Sequence, residues 1–117
     1  MRRSKYGVRT DKAGKEARTV DNVLFASMKE AKRYQELKLL QRAYKIYDLE
    51  LQPRYALPVN GVTVCSYVGD FKYFNSLIDA AIDANPVIED VKGMKTPVYR
   101  LKKKLMKAIY GIEIQEV

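Results

Sequence analysis

The spacing of apolar side chains divides the chain into a polar leader followed by helical and strand-like segments. Residues 1 to 20 are polar and basic, include Gly7 and Gly14 and sustain no period, which predicts a flexible arm. A helix is expected from Ser27. Ser27-Met28-Lys29-Glu30 has the capping-box pattern, and Ala31, Tyr34, Leu37, Leu40 and Tyr44 recur at helical spacing. Ile46 to Leu51 alternates and predicts a first strand stopped by Pro53. Asn60-Gly61 marks a turn. Val62 to Phe74, rich in β-branched and aromatic residues, predicts one long second strand bent at Gly69. Residues 75 to 85 fit either a short helical excursion or a loop with a strand end. Pro86 to Val91 predicts a third strand that Gly93 ends.

A second helix opens at Thr96-Pro97, with Thr96 as N-cap and Pro97 in the first helical position. Its expected apolar stripe is Val98, Leu101, Leu105 and Ile109, with Arg100, Lys103, Lys104 and Lys107 on a shared outer face and Gly111 just past its end. Ile112 to Val117 alternates again as a fourth strand. The order α-β-β-β-α-β predicts an α/β fold with a mixed central sheet flanked by helices. The crossover from third to fourth strand should be parallel and right-handed. A chain of 117 residues supports one core: a basic arm over 1–20 and one domain over 21–117.

Composition narrows the chemistry. There is no histidine and one cysteine, Cys65, so Ser-His-Asp and Cys-His catalysis and Cys/His zinc sites are excluded. Cys65, among apolar neighbours, reads as a small core residue. Acid–base or metal chemistry falls to carboxylates, lysine and tyrosine, and carboxylate oxygens suit Mg²⁺, with Mn²⁺ as substitute. No apolar run approaches the roughly 20 residues that span a bilayer, and no apolar segment follows the basic start, so a cytoplasmic protein without a membrane partner is expected. The net charge is +8 and uneven. Residues 1–19, with Arg2, Arg3 and Lys5, carry a net of +5, and residues 95–107 carry +6, whereas 20–94 sum to −1. Two basic clusters around an acid-containing centre suit a draped polyanion, nucleic acid above all, although anionic membrane surfaces attract such patches too.

Within that centre, Asp70 follows Tyr67-Val68-Gly69, and Val87-Ile88-Glu89-Asp90-Val91-Lys92-Gly93 comes about twenty residues later. Positions i and i+2 of a strand share a face, so Asp90 projects with Lys92, and Glu89 replaces Asp90 only in a rotated strand. An aspartate on the adjacent strand can share a metal ion with Asp90. Such an ion polarises a phosphate oxygen and acidifies its bound water, while Lys92 orients or deprotonates the water or stabilises transition-state charge. Each residue also has a plainer reading. Glu30 completes the capping box, Asp70 is a solvated strand-end acid, Asp90 and Lys92 form a surface ion pair, and the tyrosines Tyr34, Tyr44 and Tyr99 are core. Gln52, before Pro53, serves a turn or a hydrogen bond to DNA or metal water, and Tyr6 is a weak candidate for base stacking.

At these residues the chain resembles the PD-(D/E)XK superfamily of restriction-endonuclease-like proteins. More closely, it is similar to a family of small phage-encoded proteins of unknown function. The shared runs are Phe25-x-Ser27-x-x-Glu30-Ala31-x-x-Tyr34, Leu51-Gln52-Pro53, Tyr67-x-x-Asp70-Phe71, Glu89-Asp90-Val91-Lys92-Gly93 and Lys95-Thr96-x-x-Tyr99-x-Leu101-Lys102-Lys103-Lys104. The layout is also similar to transposase endonuclease subunits and phage junction resolvases. The resemblance implies a Mg²⁺-dependent endonuclease, acting as a homodimer on DNA with no small-molecule cofactor. Asp70 and Asp90 are the two motif acids, Lys92 is the motif lysine and Glu30 is an added helical acid. Gly69 stands where the motif has proline. Branched or four-way junction DNA is the expected substrate, held by Arg2, Arg3, Lys5, Lys95, Arg100, Lys103, Lys104 and Lys107. The alternatives are a non-catalytic DNA-binding or accessory protein on the same fold, and an adaptor for an acidic host protein.

Overall fold

Helices and strands mix along the described residues as the α/β pattern predicts. The computed structural model describes residues 8–117, so Arg2, Arg3, Lys5 and Tyr6 lie outside the described residues. A boundary between Leu39 and Leu40 divides the chain into two units.

In the first unit, the stretch expected as an arm contains α1 (Lys12–Ala17) and β1 (Thr19–Val20), and β1 pairs antiparallel with β2 (Val23–Leu24). The fastenings are polar. Asp11 accepts the Gly14 N–H at 3.1 Å, and the buried Arg18 side chain donates to the carbonyls of Phe25 and Arg9. Such contacts leave no apolar period in the sequence. The helix expected from Ser27 is α2 (Met28–Arg42), with Ala31, Tyr34 and Leu37 buried on one face. It ends before Tyr44, which has left-handed backbone (φ 56°) and is 77% exposed, so Tyr44 is not a core residue.

The second unit begins with β3 (Tyr47–Leu51) and a hairpin of β4 (Arg54–Val59) and β5 (Val62–Val68), then β6 (Phe71–Phe74), α3 (Leu77–Ile82), β7 (Val87–Asp90), α4 (Pro97–Tyr110) and β8 (Gln115–Glu116). The main sheet has the order β3-β6-β7-β8, antiparallel except for the parallel last pair. The elements α2-β3-β6-β7-α4-β8 follow the predicted α-β-β-β-α-β order.

The long second strand does not form. Its two halves, β5 and β6, belong to different sheets. The break at Gly69-Asp70 is held by Gly69 N–H to the Pro53 carbonyl and Gln52 N–H to the Asp70 carbonyl, both 3.0 Å. A Cβ on Gly69 would stand 3.0 Å from Ile88 Cγ2. The motif's proline is a worse fit, because Gly69 uses its N–H as a donor here. The hairpin partner β4 has no counterpart in the expected strands. Its Pro58 is tolerated at a register shift in a two-stranded edge. Asn60 and Gly61 both take positive φ, as the turn signal requires. The ambiguous stretch contains α3, capped by Ser76 and with no buried residue.

The predicted caps of α4 hold: Thr96 Oγ1 accepts the Tyr99 N–H at 3.1 Å, and Gly111 is left-handed. Its apolar stripe is displaced. Tyr99 and Met106 are buried, Leu105 and Ile109 are partly buried, but Val98 and Leu101 are 61% and 58% exposed. The core joins Leu57, Tyr67, Ile88, Tyr99, Met106 and Ile114, with Cys65 packed at its margin. Tyr99 and Tyr67 thus belong to the wall of the core and send their hydroxyls out of it toward acids. Among the described residues no helix is long and apolar enough to cross a membrane.

Candidate functional site

Three of the four sequence-predicted residues meet at the ends of β6 and β7. The ladder pairs Phe71 with Glu89, so one step further Asp70 faces Asp90. Asp70 N–H donates to the Glu89 carbonyl at 3.0 Å, and Asp70 Oδ2 accepts the Val91 N–H at 2.7 Å. This clasp points the Asp70 carboxylate across the start of the Asp90–Lys92 segment. Asp90 is 4% exposed. Its Oδ2 accepts the Tyr67 hydroxyl at 2.6 Å, and its Oδ1 lies 2.9 Å from Lys92 Nζ. The i, i+2 pairing read from the sequence is therefore real. Glu89 turns the other way, is 1% exposed and accepts from the Tyr73 hydroxyl. That burial removes it as a substitute for Asp90.

The electrostatics are uneven. Burial pushes the Asp90 carboxyl above its ordinary pKa, the Asp70 charge adds to the rise, and the Tyr67 hydroxyl and Lys92 only partly offset it. Burial likewise raises the Tyr67 phenol, which its bond to the Asp90 carboxylate raises further. Two acids that repel one another at a desolvated position favour a bound cation. Each carboxylate has about four acceptor sites, so hydrogen bonds and an ion are compatible, and an all-oxygen donor set suits Mg²⁺. Among the described residues no group of three or more His, Cys, Asp or Glu side chains is assembled for a metal ion. Mg²⁺ commonly keeps several waters and takes one or two carboxylates, and Asp70 and Asp90 match that habit.

Lys92 Nζ also stands 3.8 Å from the centroid of the Tyr99 ring, a cation–π distance. The Tyr99 hydroxyl donates to Glu116 Oε2 at 2.8 Å, and Glu116 Oε1 pairs with Lys95 at 3.0 Å and Lys103 at 3.4 Å. The Tyr99 and Lys95 bonds, with Lys103, hold the Glu116 carboxyl down at a pKa of about 2. β8 fixes the backbone as well: Val117 N–H donates to the Asp90 carbonyl at 3.1 Å, and Lys92 N–H to the Val117 carbonyl at 3.2 Å. Tyr67, Tyr99 and Glu116 were missed as site residues. Tyr67 lies in the Tyr67-x-x-Asp70 run, and only its spacing hinted at a role. Tyr99 was read as core, which describes its ring but not its hydroxyl.

The expected basic face of α4 is partly spoken for. Lys95 and Lys103 turn to Glu116, and Lys107 lies 3.4 Å from Glu113, while Arg100 and Lys104 are exposed. Gln52 is a backbone strut with left-handed φ. Glu30, in the other unit, caps α2: its N–H donates to Ser27 Oγ, and its Oε2 accepts the Ala26 N–H at 3.0 Å, one residue before the predicted partner. A concavity of about 570 Å³ lined by Tyr73, Pro86, Tyr110 and Ile112 includes none of Asp70, Asp90 or Lys92.

The family model described as protein of unknown function (DUF1064) matches residues 3–115, and the chain belongs to that family. No curated protein and no solved structure matches it.

Proposed function

We propose that this member of the DUF1064 family is a Mg²⁺-dependent DNA endonuclease of the PD-(D/E)XK kind. The observation that carries the reading is the buried Asp90 carboxylate, set against Asp70 and 2.9 Å from Lys92 Nζ. Asp70 and Asp90 would hold the ion. When bound, Mg²⁺ supplies Lewis acidity and an acidified water. The chain's own groups do the rest. Tyr67 fixes the Asp90 carboxylate through Oδ2. Lys92, held between Asp90 and the Tyr99 ring, faces the charge that builds on a phosphodiester under attack. Arg100 and Lys104, exposed on α4, meet the backbone, which positions DNA without reading its sequence. Branched DNA is the favoured substrate, since shape and charge suffice to select it, and a homodimer would cut two strands symmetrically. Glu30 enters through the resemblance alone, because its carboxylate already closes the α2 cap.

The test is cleavage of junction, linear and supercoiled DNA in Mg²⁺ by the wild type and Asp70→Ala. The wild type should cut, and Asp70→Ala should lose more than about 100-fold, the upper end of losses for groups one step further from a metal. Equal activity of the two proteins, or none from either on any substrate, overturns the proposal.

A further inference from the structure

Glu116 sits where an anion is unusually well provided for. Two lysine ammonium groups converge on its Oε1, at 3.0 and 3.4 Å, and the Tyr99 hydroxyl donates to its Oε2 at 2.8 Å. These are two cations and a neutral donor on one oxyanion, the contacts a phosphodiester oxygen pair accepts. The cradle is built on the fold. Tyr99 is buried in the core, Lys95 precedes α4 by two residues, and Lys103 lies one turn beyond Tyr99. It is also reachable from solvent, with Lys95, Lys103 and Glu116 side chains 48%, 33% and 21% exposed. The same Tyr99 ring carries Lys92 on its face, so the cradle adjoins the Asp70–Asp90–Lys92 cluster.

We infer that Lys95, Lys103 and Tyr99 form a binding site for one backbone phosphate, and that Glu116 occupies it in the free protein as an internal substitute. DNA must displace the Glu116 carboxylate to bind there. An internal anion keeps the lysines ordered and lowers affinity for stray polyanions, because each phosphate gains only the difference between its own pairing and that of Glu116. The inference rests on the proposed nuclease reading for its ligand, but it concerns binding and not cleavage.

The decisive measurement is the affinity of a short fluorescent DNA duplex in EDTA, over a salt series, for wild type, Glu116→Gln and Glu113→Gln. Both variants remove one negative charge from the same segment, but Glu113 pairs with Lys107, away from the cradle. Glu116→Gln should bind about twofold to thirtyfold tighter, the range that releasing two exposed lysine pairs spans. Its log–log salt slope should steepen by about 0.9, one more phosphate contact. Adding Lys95→Gln to Glu116→Gln should cancel most of the gain. Equal gains in Glu116→Gln and Glu113→Gln reduce the effect to net charge and overturn the inference, as does no binding by any of the proteins. Should Glu116→Gln fail to fold, Lys95→Gln alone decides: weaker duplex binding supports the site, and unchanged binding overturns it. Because EDTA removes cleavage, a wild type that binds as expected but never cuts in Mg²⁺ sinks the nuclease reading and leaves this one standing.

Discussion

Asp90 is a carboxylate placed at some cost to the fold. Burial and the Asp70 charge raise its pKa above the ordinary 3.8. A folded-state pKa above the unfolded one gives stability that is fully present below about the unfolded value and lost as pH rises through the folded one. Asp90→Asn keeps an acceptor for the Tyr67 hydroxyl and has no such dependence. Its stability relative to the wild type should therefore increase from acid to neutral pH in metal-free buffer. Urea midpoints of the two proteins, measured from below pH 3.8 to pH 7 in EDTA, check this, and a constant difference would contradict it. Part of this residue-level picture was legible beforehand. The i, i+2 rule put Asp90 and Lys92 on one face, and the salt bridge is there. The Tyr67 and Tyr99 hydroxyls were not legible, because a tyrosine at a core position reads the same whether its oxygen meets water or an acid.

At the scale of elements, the break between β5 and β6 places Asp70. A Cβ on Gly69 would press on Ile88 Cγ2 at 3.0 Å and Pro53 Cγ at 3.4 Å, so the packed Ile88 side chain would have to give by a few tenths of an ångström. Gly69→Ala should lower stability by about 1–3 kcal/mol through overpacking, read as a lower denaturation midpoint with an unchanged slope. The run Val62–Phe74 hid this break, since β-branched and aromatic residues state strand preference but not which sheet receives them. β4 was hidden for the opposite reason. Pro58 argues against a central strand, and only an edge with a register shift accommodates it. On α4 the true inner face runs through Tyr99 and Met106. The stripe Val98–Leu101–Leu105–Ile109 has the right period but the wrong phase, because long lysine stems at 102 and 103 share the half-buried side. The first unit was least legible, its helix and two-residue strands being held by Asp11 and Arg18 and not by an apolar repeat.

For the whole molecule, a cation that binds only the folded chain must stabilise it. At a Mg²⁺ concentration about 100 times the dissociation constant, the gain is about 2.7 kcal/mol. Thermal unfolding with and without Mg²⁺ should show a rise in the wild type that is lost in Asp70→Asn, which keeps an acceptor for the Val91 N–H. A rise of the same size in both proteins would place the ion elsewhere. The net charge of +8 frames these local events. Glu113 and Glu116 set part of the positive field against themselves through Lys107, Lys95 and Lys103, while Arg100 and Lys104 stand exposed on α4.

The parallel bond between β7 and β8 carries a consequence for the order in which the protein is made. Asp90 and Lys92 are both fastened to Val117, so their backbone is complete only after that residue has been added and has left the ribosome. At about 5–20 residues per second, the interval between the motif and its clamp is of the order of seconds. During synthesis the nascent chain therefore has its acids and lysine but not the bracket that registers them. The geometry of the Asp90–Lys92 segment thus matures later than its sequence, with the arrival of β8.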